Sequence, residues 1–125
     1  GRTLGEELLE PHRCYYQQLK PLLPLIKGMA HITGGGLIGN VPRILPDELT
    51  AKFHRGRWLI PPIFQLIRQK GEIHQDEMFR VFNMGIGMAV ICSADNADRV
   101  TKDIPGSGIV GEVVEQRGQD KVVII

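Results

Sequence analysis

The chain alternates short β-type apolar runs with helical stripes, punctuated throughout by glycine and proline. Residues 4–10 read as a short helix that Pro11 ends. Residues 15–26 carry Leu19, Leu22, Leu23 and Ile26 at helical spacing, so Pro21 and Pro24 must sit at a start or a kink. A short apolar strand over 28–33 follows, broken by Gly34, Gly35 and Gly36, and residues 37–41 restart the apolar pattern of a helix turn. Residues 48–54 predict a second, shorter strand. Pro61 and Pro62 open a helix that Gly71 closes, with Ile63, Phe64 and Ile67, flanked by Leu66, as its buried face. Residues 75–82 predict another helix, with Asp76 and Glu77 in the first turn, where the helix dipole favours acids. A β-branched strand over 85–92 and a helix over 95–102 come next. Residues 108–114 and 121–125 read as a closing hairpin around 116–120. The predicted class is α/β of the α+β type: one domain over residues 1–125, a mixed β-sheet flanked by helices, without repeats or low-complexity linkers.

Two glycine-bearing segments hold the candidate chemistry. A strand that breaks into glycines and opens a helix presents backbone N–H groups beside a positive dipole end, which is an anion cradle, most often for phosphate. The competing reading is a tight turn without a ligand. Three consecutive glycines beside His31 and Thr33 favour the binding loop, with Thr33, Gly34, Gly35 and Gly36 as its members. His31, just before the loop, is placed to supply a cation or an N–H donor to a transferring phosphoryl group; the alternative is a hydrogen-bonded core histidine. Arg43 has the planar fork for a phosphate clamp, or pairs with Asp47 or Glu48. In the second segment Gly85 and Gly87 share one strand face, and the missing side chains admit a neighbouring backbone or a flat ligand. Asn83 beside them either binds through its amide or turns the chain. Arg13 reads as a helix-end salt bridge in preference to a ligand of the same site. Glu6, Glu7 and Glu10 read as a solvated helix face, and Met78, Met84 and Met88 with Phe79 and Phe82 as core.

Several familiar sites are set aside. Residues 106–111 match the G-x-G-x-x-G string, yet a predicted helix precedes them and a strand follows, the reverse of the dinucleotide context. No Gly-Lys-Ser/Thr follows the three glycines, and Ser107 lacks a nucleophile elbow. The four histidines show no metal-ligand spacing, so no metal ligands are predicted. A net charge of +1 is too small to argue for nucleic acid or an anionic membrane, neither is expected as a partner, and no apolar stretch has membrane-spanning length. Cys14 and Cys92 read as reduced thiols of a cytoplasmic protein.

The strings GRTLGEELL at residues 1–9, HITGGGL at 31–37, NVPRILP at 40–46 and FNMGIGM at 82–88 resemble one family, in its order and spacing. That family is phosphoribosylformylglycinamidine cyclo-ligase (aminoimidazole ribonucleotide synthetase), and the resemblance is to its C-terminal domain. The family's usual Pro-Thr-Arg-Ile-Tyr is here Pro11-His12-Arg13-Cys14-Tyr15, so no role of a hydroxyl at position 12 carries over. The resemblance implies a larger two-domain enzyme, with Gly1 a cleavage boundary and an N-terminal domain that binds most of the ATP and its magnesium and forms a homodimer. It implies a ribonucleotide substrate: the formamide oxygen of formylglycinamidine ribonucleotide is phosphorylated, the amidine nitrogen attacks the formyl carbon, and phosphate leaves to give aminoimidazole ribonucleotide for purine synthesis. His31 and Arg43 would supply charge, the glycine loop a cradle, and Asn83 with Gly85 and Gly87 the opposing edge. Sibling domains of thiamine-monophosphate kinase, selenophosphate synthetase, a hydrogenase maturation protein and formylglycinamidine ribonucleotide amidotransferase have a similar plan. A non-catalytic phosphate-binding or assembly module is the alternative from another class.

Overall fold

In the computed structural model, which describes residues 1–125, six α-helices and five strands follow one another as α1 (Leu4–Leu8), α2 (Tyr16–Leu19), β1 (Ile26–His31), α3 (Gly36–Asn40), β2 (Leu49–Phe53), α4 (Pro62–Lys70), α5 (Gln75–Val81), β3 (Met88–Cys92), α6 (Ala94–Asp103), β4 (Gly111–Glu115) and β5 (Val122–Ile124). The single helical stripe expected over 15–26 is instead one α-turn followed by a 3-10 turn, Lys20–Leu25. Prolines at positions 21 and 24 lack the N–H that would continue the α-helical ladder, and Pro21 is tolerated at the start of the 3-10 segment, where its N–H would have no partner in the helix. Leu19 and Leu22 still reach the core, whereas Leu23 is exposed and Ile26 begins β1. Helix α4 keeps the expected proline-first, glycine-last form, with Gly71 as its C-cap. Its Ile63, Phe64 and Ile67 are half-buried and Leu66 is exposed.

The strands form two sheets, so the helices and the mixed and antiparallel strands make an α+β domain. β1 and β3 pair antiparallel, with Ala30 opposite Ala89 and His31 opposite Met88. In the other sheet β2 is central, antiparallel to β4 (Thr50 opposite Val114) and parallel to β5 (Lys52 opposite Val123). The hairpin expected between the last two strands therefore does not form, because β2 lies between them. Ala51 and Phe53 of β2 are buried, and a buried strand needs partners for its backbone groups along both edges. β5 supplies the second edge through Ala51 N–H to the Lys121 carbonyl (2.9 Å) and Ile125 N–H to the Phe53 carbonyl (2.9 Å).

β3 begins at Met88, three residues later than the sequence pattern suggests. Met84 (φ 50°) and Gly85 (φ 93°) both have positive φ, and Ile86 N–H donates to the Asn83 carbonyl at 3.0 Å. Positive φ at both central positions marks a mirror-image type I′ turn, and it consumes the residues expected to start the strand. Met84 is a non-glycine residue in the left-handed region, held there by burial and by Trp58 Nε1–H donating to its carbonyl at 3.0 Å.

Ala30, Ile32 and Ala89 on one side and Ala51 and Phe53 on the other join in one buried cluster with Leu37, Val41 and Leu45. Fully burying a side chain such as Ile32 or Leu37 contributes about 1.5–3 kcal/mol. The opposite face of β1–β3 is covered by Leu19 and Leu22 packing on Val100 of α6 and on Ile104 just after it. Met78, Phe79 and Met84 form a third buried group, and Met88 is half-buried against the second. α1 buries nothing; Thr3 and Glu6 form a capping box at its start, and Arg2 pairs with Glu7 (2.5 Å) and Glu10 (2.6 Å). The acidic face expected to be merely solvated is thus engaged by Arg2 and Thr3. No helix is long and apolar enough to cross a membrane.

Candidate functional site

The end of β1, the start of the glycine loop and the turn after α5 border one groove of about 580 Å³, floored by Ile32, Phe64, Val81 and Phe82. His31, Thr33, Gly34 and Asn83 line it, so residues from both glycine-bearing segments meet there, together with His12. His31 is exposed at the strand end, which removes the core-histidine alternative. Its Nε2 lies 2.9 Å from Nε2 of His12, one ring's Nε2–H donating to the other's bare Nε2. Thr33 and Gly34 are exposed, and their backbone N–H groups have no protein partner. No carboxylate lines the groove, so its polar rim offers donors and imidazoles to an anion.

The loop turns into α3 as the pattern predicts, but Gly35 and Gly36 face inward rather than toward the groove. Gly35 N–H donates to the Val81 carbonyl (3.3 Å) and Gly36 N–H to that of Thr33 (3.1 Å). A Cβ on Gly36 would collide with the Phe79 carbonyl and come within 2.6 Å of the Phe82 carbonyl. The start of α3 thus meets the carbonyl end of α5, and the two opposed dipole ends satisfy one another. Buried Asn40 ties the loop from within: its Nδ2 donates to the carbonyls of Gly36 (2.8 Å), Gly34 (3.2 Å) and Thr33 (3.4 Å). The sequence contains no signal for this role beyond an asparagine four residues after a glycine.

Asn83 turns the chain, one of its two expected tasks. Its Oδ1 accepts from Gly85 N–H at 3.0 Å, closing an Asx turn, while the residue still borders the groove. The two glycine notches are filled by the chain itself. A Cβ on Gly85 would lie 2.6 Å from the Pro61 ring and 3.0 Å from the Leu59 carbonyl. One on Gly87 would collide with the Tyr15 hydroxyl and lie 3.1 Å from His12 Nε2. Gly87 therefore adjoins the groove through His12, and Gly85 does not line it.

Arg43 is exposed in the 3-10 turn Val41–Ile44 and does not line the groove. Its alternative pairing is absent too, since Asp47 is bridged by Lys121 at 3.6 Å. Arg13 makes no salt bridge: its Nη1 donates to the Pro105 carbonyl (3.1 Å) and its guanidinium lies 5.4 Å from the Tyr15 ring centre. Residues 106–111 run from α6 into β4, the order expected from the sequence. A second depression, about 620 Å³, lies against the other sheet beside Thr50, Lys52, Glu115 and Arg117, and gathers none of the candidate residues. No three His, Cys, Asp or Glu side chains converge on a metal position. His12, Tyr15, Asn40 and the aromatic floor are what sequence reasoning missed.

Residues 1–124 match the family model described as "AIR synthase related protein, C-terminal domain". A phosphoribosylformylglycinamidine cyclo-ligase of Thermoanaerobacter sp. is 47% identical over 123 residues, 94% of this chain and 37% of that protein. Those of Cupriavidus taiwanensis (43% over 135 residues, 100% of this chain, 38% of that protein) and Burkholderia pseudomallei (50% over 113 residues, 86% and 31%) are similar as well. The chain spans between 31% and 38% of the length of these curated relatives.

Proposed function

Since the chain belongs to the family of AIR synthase related proteins, through their C-terminal domain, we propose that it forms one wall of the active-site cleft of an ATP-dependent cyclo-ligase that makes aminoimidazole ribonucleotide. The observation that supports this reading is the groove itself, where the HITGGG and FNMG segments, distant in sequence, put His31, Thr33, Gly34 and Asn83 around one opening. Ring closure through a phosphorylated formamide asks for anion binding and positioning more than for a nucleophile. The free N–H groups of Thr33 and Gly34 would receive a phosphate, and Asn83 would orient the substrate from the facing turn. His31 would donate to charge developing on the transferring group. Gly35 and Gly36 serve by fixing the loop's course, Gly85 by letting Pro61 and Leu59 come close, and Gly87 by leaving room for Tyr15 and His12. Arg43 would reach a bound anion only from outside the groove.

The residues of this chain do not fit magnesium: no carboxylate lines the groove and no three potential ligands converge. ATP and its metal are therefore assigned to a preceding domain of the same cytoplasmic, homodimeric protein, and the 125-residue chain is expected not to turn over by itself. The test is ATP-dependent formation of aminoimidazole ribonucleotide by the full-length protein, with His31→Ala beside it. Wild-type product and a loss of about 100-fold in the variant are expected. Absence of product from folded protein would refute the cyclo-ligase reading, and a fully active His31→Ala protein the assignment of His31. Cyclisation by the isolated chain would refute the need for the preceding domain.

A further inference from the structure

Resting on the assignment of His31 above, we propose that His12 is a positioning residue for His31, tying that ring's tautomer to its own and holding its orientation, and that Tyr15 and the bare Cα of Gly87 form the seat that holds His12. The two rings meet through like nitrogens, Nε2 to Nε2 at 2.9 Å, with centroids 4.7 Å apart and planes at 73°. Such a bond exists only when one ring carries its proton on Nε2 and the other does not. In the neutral pair the two rings therefore hold complementary tautomers, and neither changes tautomer within the bond unless the other does. Which nitrogen of His31 can donate to a ligand is set by this choice.

His12 is itself restrained, although it lies in the irregular segment between α1 and α2. Its ring packs edge-on against Tyr15 at 5.9 Å between centroids. Tyr15 is braced from its other neighbour by the Arg13 guanidinium, which is tied to the Pro105 carbonyl. The Tyr15 hydroxyl occupies the space that any side chain at position 87 would take, within reach of the same point as His12 Nε2. Gly87 thus serves the site by leaving room for residues of this chain.

The experiment compares the full-length wild type with His12→Ala and His12→Gln, measuring kcat and KM for cyclisation and the imidazole 15N shifts of His31 in histidine-labelled protein. His12→Ala is expected to lower kcat about tenfold with KM changed less than about twofold. The His31 imidazole shifts should change, because its tautomer is no longer tied to that of His12. His12→Gln, whose amide both donates and accepts, should recover most of the rate. Wild-type kcat and unchanged His31 shifts in His12→Ala overturn the proposal while leaving His31 in the site, provided His31→Ala is inactive. A lower kcat with an unchanged His31 tautomer overturns it as well, because His12 would then act in its own right. An active His31→Ala protein removes the assignment on which the proposal rests.

Discussion

Gly36 and Gly87 lack a side chain for the same geometric reason and to opposite effect. At Gly36 the space is taken by the backbone carbonyls of Phe79 and Phe82, which belong to the end of a packed helix and cannot withdraw. At Gly87 it is taken by the hydroxyl of Tyr15 and the ring of His12, which are the far ends of side chains. The first glycine is a condition for the fold; the second is a condition for how the groove's imidazoles are seated. A glycine-rich motif at a site is thus no guide to which glycines touch a ligand. What decides is the rigidity of the neighbour that fills the gap.

The sharpest way to break this contrast is Gly36→Ala, which adds a collision with backbone to a φ of +57° that L-residues disfavour. A loss of about 3 kcal/mol or more is expected, read as a lower denaturant midpoint with an unchanged slope. Asn40→Ala comes next, because three loop carbonyls lose the amide that binds them in a buried position. About 2 kcal/mol of destabilisation is expected by the same measurement. Gly87→Ala should cost only about 1 kcal/mol, since Tyr15 can swing aside, yet lower turnover of the full-length protein by more than this stability change accounts for. Equal and large destabilisation by the two alanines would abolish the distinction drawn between them.

The smallest effect lies outside both regions, at α1. Hydrogen bonding from the Thr3 backbone N–H, and then from its hydroxyl, holds the Glu6 carboxyl below its ordinary range. A carboxyl depressed in the folded state contributes its stability in full above the ordinary value of 4.5 and loses it as pH falls through the lower folded value. Acid titration should therefore fray α1 before the rest unfolds, and Thr3→Ala, which removes the hydroxyl but keeps the backbone N–H, should weaken that pH dependence while barely moving the global melting temperature.

Elements whose limits are local were legible in the sequence, and α4 between its prolines and Gly71 is the clearest case. Pairing was not. Nothing in the spacing of residues 108–125 says that β2, rather than each other, is the partner of both final strands. Periodicity reports which face is apolar, and partner choice is settled by the burial of Ala51 and Phe53. The groove was half legible for a related reason. Glycines marked where backbone comes close, and His31, Thr33, Gly34 and Asn83, singled out beside them, do border one groove. His12 lies 19 residues from His31 in a segment without periodicity, and its approach depends on an arginine reaching a carbonyl 92 residues away.

The central place of β2 also fixes the order in which this molecule can be assembled. During synthesis β2 leaves the ribosome well before β5, since the Asp120 carbonyl that accepts the hydrogen bond of the Thr50 hydroxyl lies 70 residues further on. Until β5 emerges, one edge of β2 remains an open template, beside apolar residues whose burial it is meant to complete. Loop-closure entropy sets a slow pace for such a distant parallel pairing. The nascent chain is therefore most exposed to sticking to its neighbours in the interval between these two strands, and a chaperone that shields the region around Phe53 would act there.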